Sequence, residues 1–313
     1  MRPFPLAPLF LIATTVLATT VLGACASAPT APRGTDSEKP ARIIDAHVHA
    51  EFSGEQERTS GIPVTENRFF EEWREAGVVG AVSHAPRGKR PSALGLRKKG
   101  VIFCAGAAEK PDLIEIEAGL REKLYSCIKI YLGYVHQWAS APAYQPLYRL
   151  ARKYRVPVVF HTGDTYSTRG KLKYADPLTV DEVAVDYPDV TFVIAHLGNP
   201  WIESAAEVAY KNPNVFLELS ALLIADLDTQ DRAKVDELVV KPIAWALTYV
   251  EDPGKLLFGT DWPLTRIASY VKAVQRAIPR EHWSAVFHDN ALRVFPALQE
   301  SHSWIKAPAK PTP

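Results

Sequence analysis

Arg42-Ile43-Ile44-Asp45-Ala46-His47-Val48-His49 is the stretch on which the fold turns. It opens as a β-branched, apolar run and ends in two histidines. A doubly wound open sheet would carry a glycine-rich phosphate turn after such an early strand. Asp45-Ala46-His47 occupies that place instead. Outward from this point the chain alternates. Strand-like runs fall at 42–46, 78–83, 101–105, 127–131, 156–160, 191–195, 215–219 and 256–259. Stretches at 66–76, 112–124, 144–154, 179–187, 202–211, 232–250 and 268–277 carry apolar residues at helical spacing with charges between. Between the second and third strands, 91–99 must supply a short helix. Eight β-α units in about 265 residues predict a single-domain (β/α)₈ TIM barrel over 41–305. A helical extension at 280–298 closes it.

The 313 residues are 47% hydrophobic and 23% charged, the composition of an ordinary globular protein. Lys plus Arg is 36 and Asp plus Glu is 35, a balance that gives no sign of a nucleic-acid partner. Oligomeric state is not legible.

Residues 1–24 differ from the rest. Arg2 is their only charge, and an apolar run follows it, as in a signal peptide. The run ends in Leu22-Gly23-Ala24-Cys25, which resembles the bacterial lipobox. That resemblance implies cleavage before Cys25, lipidation of its sulfur, and attachment to a membrane through the lipid. Ala26 in place of Asp then favours the outer membrane, with the protein facing the periplasm. A plain signal peptide or an uncleaved anchor helix are the alternatives. Residues 25–40 read as a flexible tether and 306–313 as a disordered tail. Cys104 and Cys127 lie in apolar strands. Buried thiols are the preferred reading, with a disulfide as the alternative.

Side chains alternate along a strand. In the fourth strand Ile128 and Ile130 face the helices, which turns Lys129 into the barrel. A charge there is costly unless it is altered or paired, for example with Glu218. Four histidines and an aspartate fall at strand ends: His47 and His49 after the first, His161 after the fifth, His196 after the sixth, Asp261 after the eighth. In a TIM barrel that rim is where active sites form. Imidazoles with a carboxylate suit Zn²⁺ first, with Mn²⁺, Fe²⁺ or Co²⁺ as alternatives.

In this order and context, His47-x-His49, Lys129, His161, His196 and Asp261 resemble the amidohydrolase superfamily. Ile43–His49 and Asp289–Phe295 resemble its amidohydrolase-related branch. The resemblance implies that His47, His49 and Asp261 hold one ion, with Asp261 also shuttling protons. In two-ion members a carboxylated lysine at the position of Lys129 bridges, and His161 and His196 hold the second ion. In one-ion members His161 completes the first site and His196 polarises the substrate. The count stays open, with two preferred.

The expected activity is hydrolysis of an ester, lactone, amide or phosphoester by metal-activated water, with Asp261 and His196 catalytic. Decarboxylation of an unsaturated or aromatic acid is one alternative, and a non-catalytic metal-containing binding lipoprotein another. Substrate, a small molecule, is expected against Tyr134, His136, Asp164, Lys173, Asn199, Trp201 and Trp262. The stretch 162–177, with Arg169, Lys171 and Lys173, is either a lid that greets an anion or a solvated loop. His84 is a weaker candidate.

Overall fold

The computed structural model describes residues 40–302, and the expected signal peptide, lipidated Cys25 and C-terminal tail lie outside that range. Eight parallel strands form one sheet in chain order: β1 Ile43–Val48, β2 Val78–His84, β3 Val101–Ala107, β4 Cys127–Ile130, β5 Val158–His161, β6 Phe192–Ala195, β7 Val215–Glu218 and β8 Leu256–Leu257. β8 is shorter than the sequence suggests. Its continuation turns to β1 instead, where Ala46 N donates to Phe258 O (2.9 Å) and His49 N to Trp262 O (2.8 Å). These bonds draw the first and last strands together and shape the chain into a (β/α)₈ barrel.

The two faces of each strand serve two cores. Outward residues such as Ile43, Ile128, Ile130 and Phe160 pack under the helices. Inward residues such as Ile44, Ala46, Val159 and Val193 fill the barrel. Ala291, Val294 and Leu298, on the helices Asn290–Val294 and Ala297–His302, and Phe295 between them join this inner cluster and plug its lower end. The expected extension therefore closes the barrel.

Local chemistry sets the helix ends. Thr65 caps Glu66–Ala76 by accepting from Arg68 N, and Gly77 ends it with φ +82°, a left-handed turn that costs glycine least. The predicted short helix appears as a single 3₁₀ stretch, Leu94–Lys99. The long helix expected at 232–250 widens to π geometry over Asp236–Val240, just before Pro242, which has no N–H to donate. No helix among the described residues is long and apolar enough to cross a membrane.

One expectation is corrected. Cys104 and Cys127 form a disulfide rather than two free thiols. They are direct register partners on β3 and β4, share the inner face, and stand 4.3 Å apart at Cα. Adjacent parallel strands in that register bring the sulfurs within bonding reach.

Candidate metal centre

β1 carries the first two side chains of the site. Asp45, fully buried, fixes the end of this strand: its Oδ1 accepts from Thr260 N (2.9 Å) and its Oδ2 from Thr260 Oγ1 (2.6 Å). Burial pushes its carboxyl up to about 7, against the hydrogen bonds that favour its charge. Asp261 N in turn donates to His47 O (2.7 Å), which sets Asp261 directly beside the His47-x-His49 pair. Asp261 holds φ +61° and His196 φ +61°, left-handed values rarely taken by residues with a Cβ. Both are site residues, where such strain is most often kept.

The hydrogen bonds around the imidazoles determine which nitrogen carries a proton. His47 Nδ1 lies 2.8 Å from Glu218 Oε2, and His49 Nδ1 lies 2.9 Å from the carbonyl of His84. The His84 carbonyl can only accept, so His49 carries its N–H at Nδ1; Glu218, whose carboxyl burial pushes up to about 8, accepts from His47 Nδ1 in its ionised form. The Nε2 lone pairs of both rings therefore face inward. They stand 3.6 and 3.1 Å from the same Asp261 Oδ1, a buried oxygen with no hydrogen-bond partner. Two nitrogen lone pairs and a carboxylate oxygen converge, with Lys129 Nζ 3.5 Å from His47 Nε2 as the donor beside them, and the three ligand atoms lie within 4.8 Å of one another. Such a donor set repels itself until a cation enters, so the residues fit a divalent metal.

A second pair repeats the pattern. His161 Nε2 donates to Asp164 O (2.7 Å). His196 Nδ1 donates to Ser220 Oγ (3.0 Å), whose own proton goes to Glu218 Oε2 (2.8 Å). His161 Nδ1 and His196 Nε2 are left facing each other at 3.0 Å, again lone pair to lone pair. Burial keeps these imidazoles neutral: it draws His47 and His161 well below the usual histidine range and His196 to about 4. Burial opposes the charge of Asp261, but the neighbouring ammonium of Lys129 favours it, and the carboxyl lies below its ordinary value.

Lys129 points into the barrel as alternation requires, fully buried, with Nζ 3.5 Å from His47 Nε2. Burial lowers its ammonium to about 8, with Asp261 and Glu218 acting the other way. Glu218 does not clamp it. That carboxylate is spent on His47 Nδ1 and on Ser220, whose N donates to Oε1 at 2.6 Å. His47, His196 and Glu218 also bring ligand atoms within 4.8 Å. Because Glu218 Oε2 already accepts from His47 and Ser220, we read this trio as support for the first. Gly259 makes room for it, since a Cβ there would strike Glu218 Oε1.

The sequence reading underrated two residues. His84 is buried, with its ring 4.0 Å from that of His47, and its carbonyl orients His49. Its place at the end of β2 was the available signal. Glu218 appeared only as a partner for Lys129, because nothing in one sequence says which inward group an acid will meet.

The expected substrate residues divide. Tyr134 packs edge-on to His161 at 4.8 Å, and its hydroxyl accepts from Tyr166 N (2.8 Å). His136 donates through Nε2 to Arg169 O (2.9 Å), tying the loop after β4 to the 162–177 stretch. Asp164 acts through its backbone, accepting from His161 and donating to Asn199 O (2.8 Å). Asn199 Nδ2 donates to Leu222 O, and Trp201, half-buried, starts the helix Ile202–Lys211. Lys173 is exposed, with Nζ over the ring of Tyr174, and Arg169 and Lys171 are exposed with it. The stretch folds back on itself, Gly163 N donating to Ala175 O (2.7 Å), and Lys171 N joins it to Gly133 O after β4 (2.9 Å). Trp262 is fully buried in the outer core, its ring against Phe69 (4.7 Å) and Phe52.

A (β/α)₈ barrel with a histidine–aspartate cation site on its C-terminal rim defines the class of this protein. The model of an amidohydrolase family matches residues 44–297, and the chain belongs to that family. No curated protein matches it. Solved structures share the fold. One is an amidohydrolase from Burkholderia multivorans with bound zinc, 16% identical, TM-score 0.63, covering 82% of this chain and 99% of the other. A probable 2-pyrone-4,6-dicarboxylic acid hydrolase from Acinetobacter baumannii, with citric acid bound, is 15% identical, TM-score 0.60, with the same coverages. A 5-carboxyvanillate decarboxylase from Novosphingobium aromaticivorans, complexed with manganese, is 12% identical, TM-score 0.59, covering 84% and 97%.

Proposed function

We propose that this protein is a metal-dependent hydrolase of small molecules carrying an ester, lactone, amide or phosphoester bond. One observation carries the reading: the inward lone pairs of His47 and His49 meet a partnerless Asp261 Oδ1. A divalent ion held there, zinc first, supplies Lewis acidity to a water and to the scissile group. The chain's own residues do the rest. Asp261, ionised at neutral pH, accepts a proton and returns it to the leaving group. His161 and His196, both neutral, hold a second ion alongside a carboxylated Lys129, or His196 polarises the substrate. Glu218, Ser220 and Asp164 fix the ring orientations on which either arrangement depends.

Asp261→Asn keeps the shape of the side chain and removes the proton acceptor. We expect the variant to fold normally and to lose turnover by about 10²- to 10⁴-fold on any hydrolysed substrate. Unchanged turnover overturns the proposal. A screen of esters, lactones, amides and phosphoesters, with metal analysis of the protein, finds both the substrate and the ion count. Decarboxylation is the second reading, favoured by the manganese-bound decarboxylase among the structures of this fold. CO₂ released from an aromatic acid, with no hydrolysis in the screen, replaces the first reading by the second. We also read residues 1–24 as a signal peptide and Cys25 as the lipidated residue of an outer-membrane lipoprotein. Palmitate labelling that is lost in Cys25→Ala supports this, and equal labelling ends it.

A further inference from the structure

At the end of the barrel away from the metal centre lies a groove of about 1030 Å³. Its walls come from the N-terminal ends of β3, β4 and β5, the helix Leu113–Arg121 and the closing helix Ala297–His302. The floor is apolar, made by Val101, Ile102, Leu120, Val156 and Ala297. The rim is basic: Arg97, Lys98, Arg121, Lys123 and Arg155 surround it, all exposed. Among the described residues Glu300 is the one acid lining the groove, and it accepts from Lys123 Nζ at 3.1 Å. Among the described residues, the side chains of Arg97, Lys98 and Arg155 make no ion pair.

An apolar floor edged by Arg97, Lys98 and Arg155, which make no ion pair among the described residues, complements one kind of molecule. We propose that the groove binds an anionic amphiphile with a single acyl chain. The chain lies along the floor, and the carboxylate sits against Arg97, Lys98 and Arg155. The volume lies at the upper end of what small-molecule sites offer, roughly 300–1,000 Å³, so an extended chain fits. Burying methylenes supplies affinity, while the guanidinium and ammonium groups select the sign of the head. Nothing in the proposed hydrolysis needs this groove, and its lining shares no residue with the metal centre.

The chain from Lys39 onward is a compact unit with its own closed cores, so residues 39–313 serve for the test. Titration with oleate, followed by calorimetry, should show one saturable site. Oleyl alcohol and octanoate should each bind at least about tenfold more weakly, the first for want of charge and the second for want of chain length. The triple variant Arg97→Glu/Lys98→Glu/Arg155→Glu alters exposed side chains only. It should keep its melting temperature and lose oleate affinity by at least about tenfold. Asp261→Asn should bind oleate as wild type does, which separates this site from the catalytic reading. Non-saturable uptake, equal affinity for oleate and oleyl alcohol, indifference to chain length, or loss of binding in Asp261→Asn would each overturn the assignment.

Discussion

Glu218 shows how much one buried side chain decides. It touches no proposed substrate position, yet its Oε2 fixes the proton of His47 on Nδ1 and steadies Ser220 behind His196. Both inward-facing lone pairs depend on it. A carboxylate behind a ligating histidine orients the ring and raises its basicity. Glu218→Gln keeps the volume but puts an amide where two donors already converge. We expect metal affinity to fall by about 10- to 100-fold, with the far-ultraviolet circular dichroism unchanged. Competition against a chelator of known affinity measures it, and an unaltered constant would show that the ring of His47 is held by packing alone. His84 makes the complementary point. Its carbonyl, not its imidazole, sets His49, so His84→Asn should lose far less metal affinity than Glu218→Gln in the same assay.

Strands, more than loops, carried their site residues legibly. The alternation of Ile128, Lys129 and Ile130 predicts an inward lysine, and Lys129 is fully buried inside the barrel. The histidines and Asp261 at strand ends were likewise readable, because a strand end has a known place in this architecture. The burial of Trp262 was not legible, because residues beyond a strand follow no period, and one step past Asp261 the side chain turns into the outer core. The disulfide was hidden for a different reason. Sequence puts Cys104 and Cys127 in neighbouring apolar strands, but only the register makes them direct partners on one face. At this scale the bond closes a loop across 23 positions. A loop of that length is worth about 3 kcal/mol through the unfolded state. Cys104→Ala/Cys127→Ala should therefore unfold at lower denaturant, with activity at low denaturant retained. An unshifted midpoint would mean that the unfolded chain gains nothing from losing the link.

Over the whole molecule, the metal centre and the fold are coupled because the ligands sit where the barrel closes. His47 lies near the end of β1 and His49 directly follows it, and Asp261 lies in the segment that pairs with this end of β1 after β8. An ion across these groups therefore bridges the first and last strands, whose pairing depends on backbone bonds beyond the two-residue β8. The unfolded chain offers no such site, so binding adds directly to stability. At a free ion concentration near 1,000 times the dissociation constant, the gain is about 4 kcal/mol. For a domain of this size that corresponds to on the order of 10 °C in melting temperature. Chelation should lower the melting temperature of residues 39–313 by about that much, and added Zn²⁺ should restore it. His47→Ala should start near the chelated value and respond little to either treatment. A wild-type melting curve indifferent to chelator and zinc, in protein shown to hold the ion beforehand, would separate closure of the barrel from the metal.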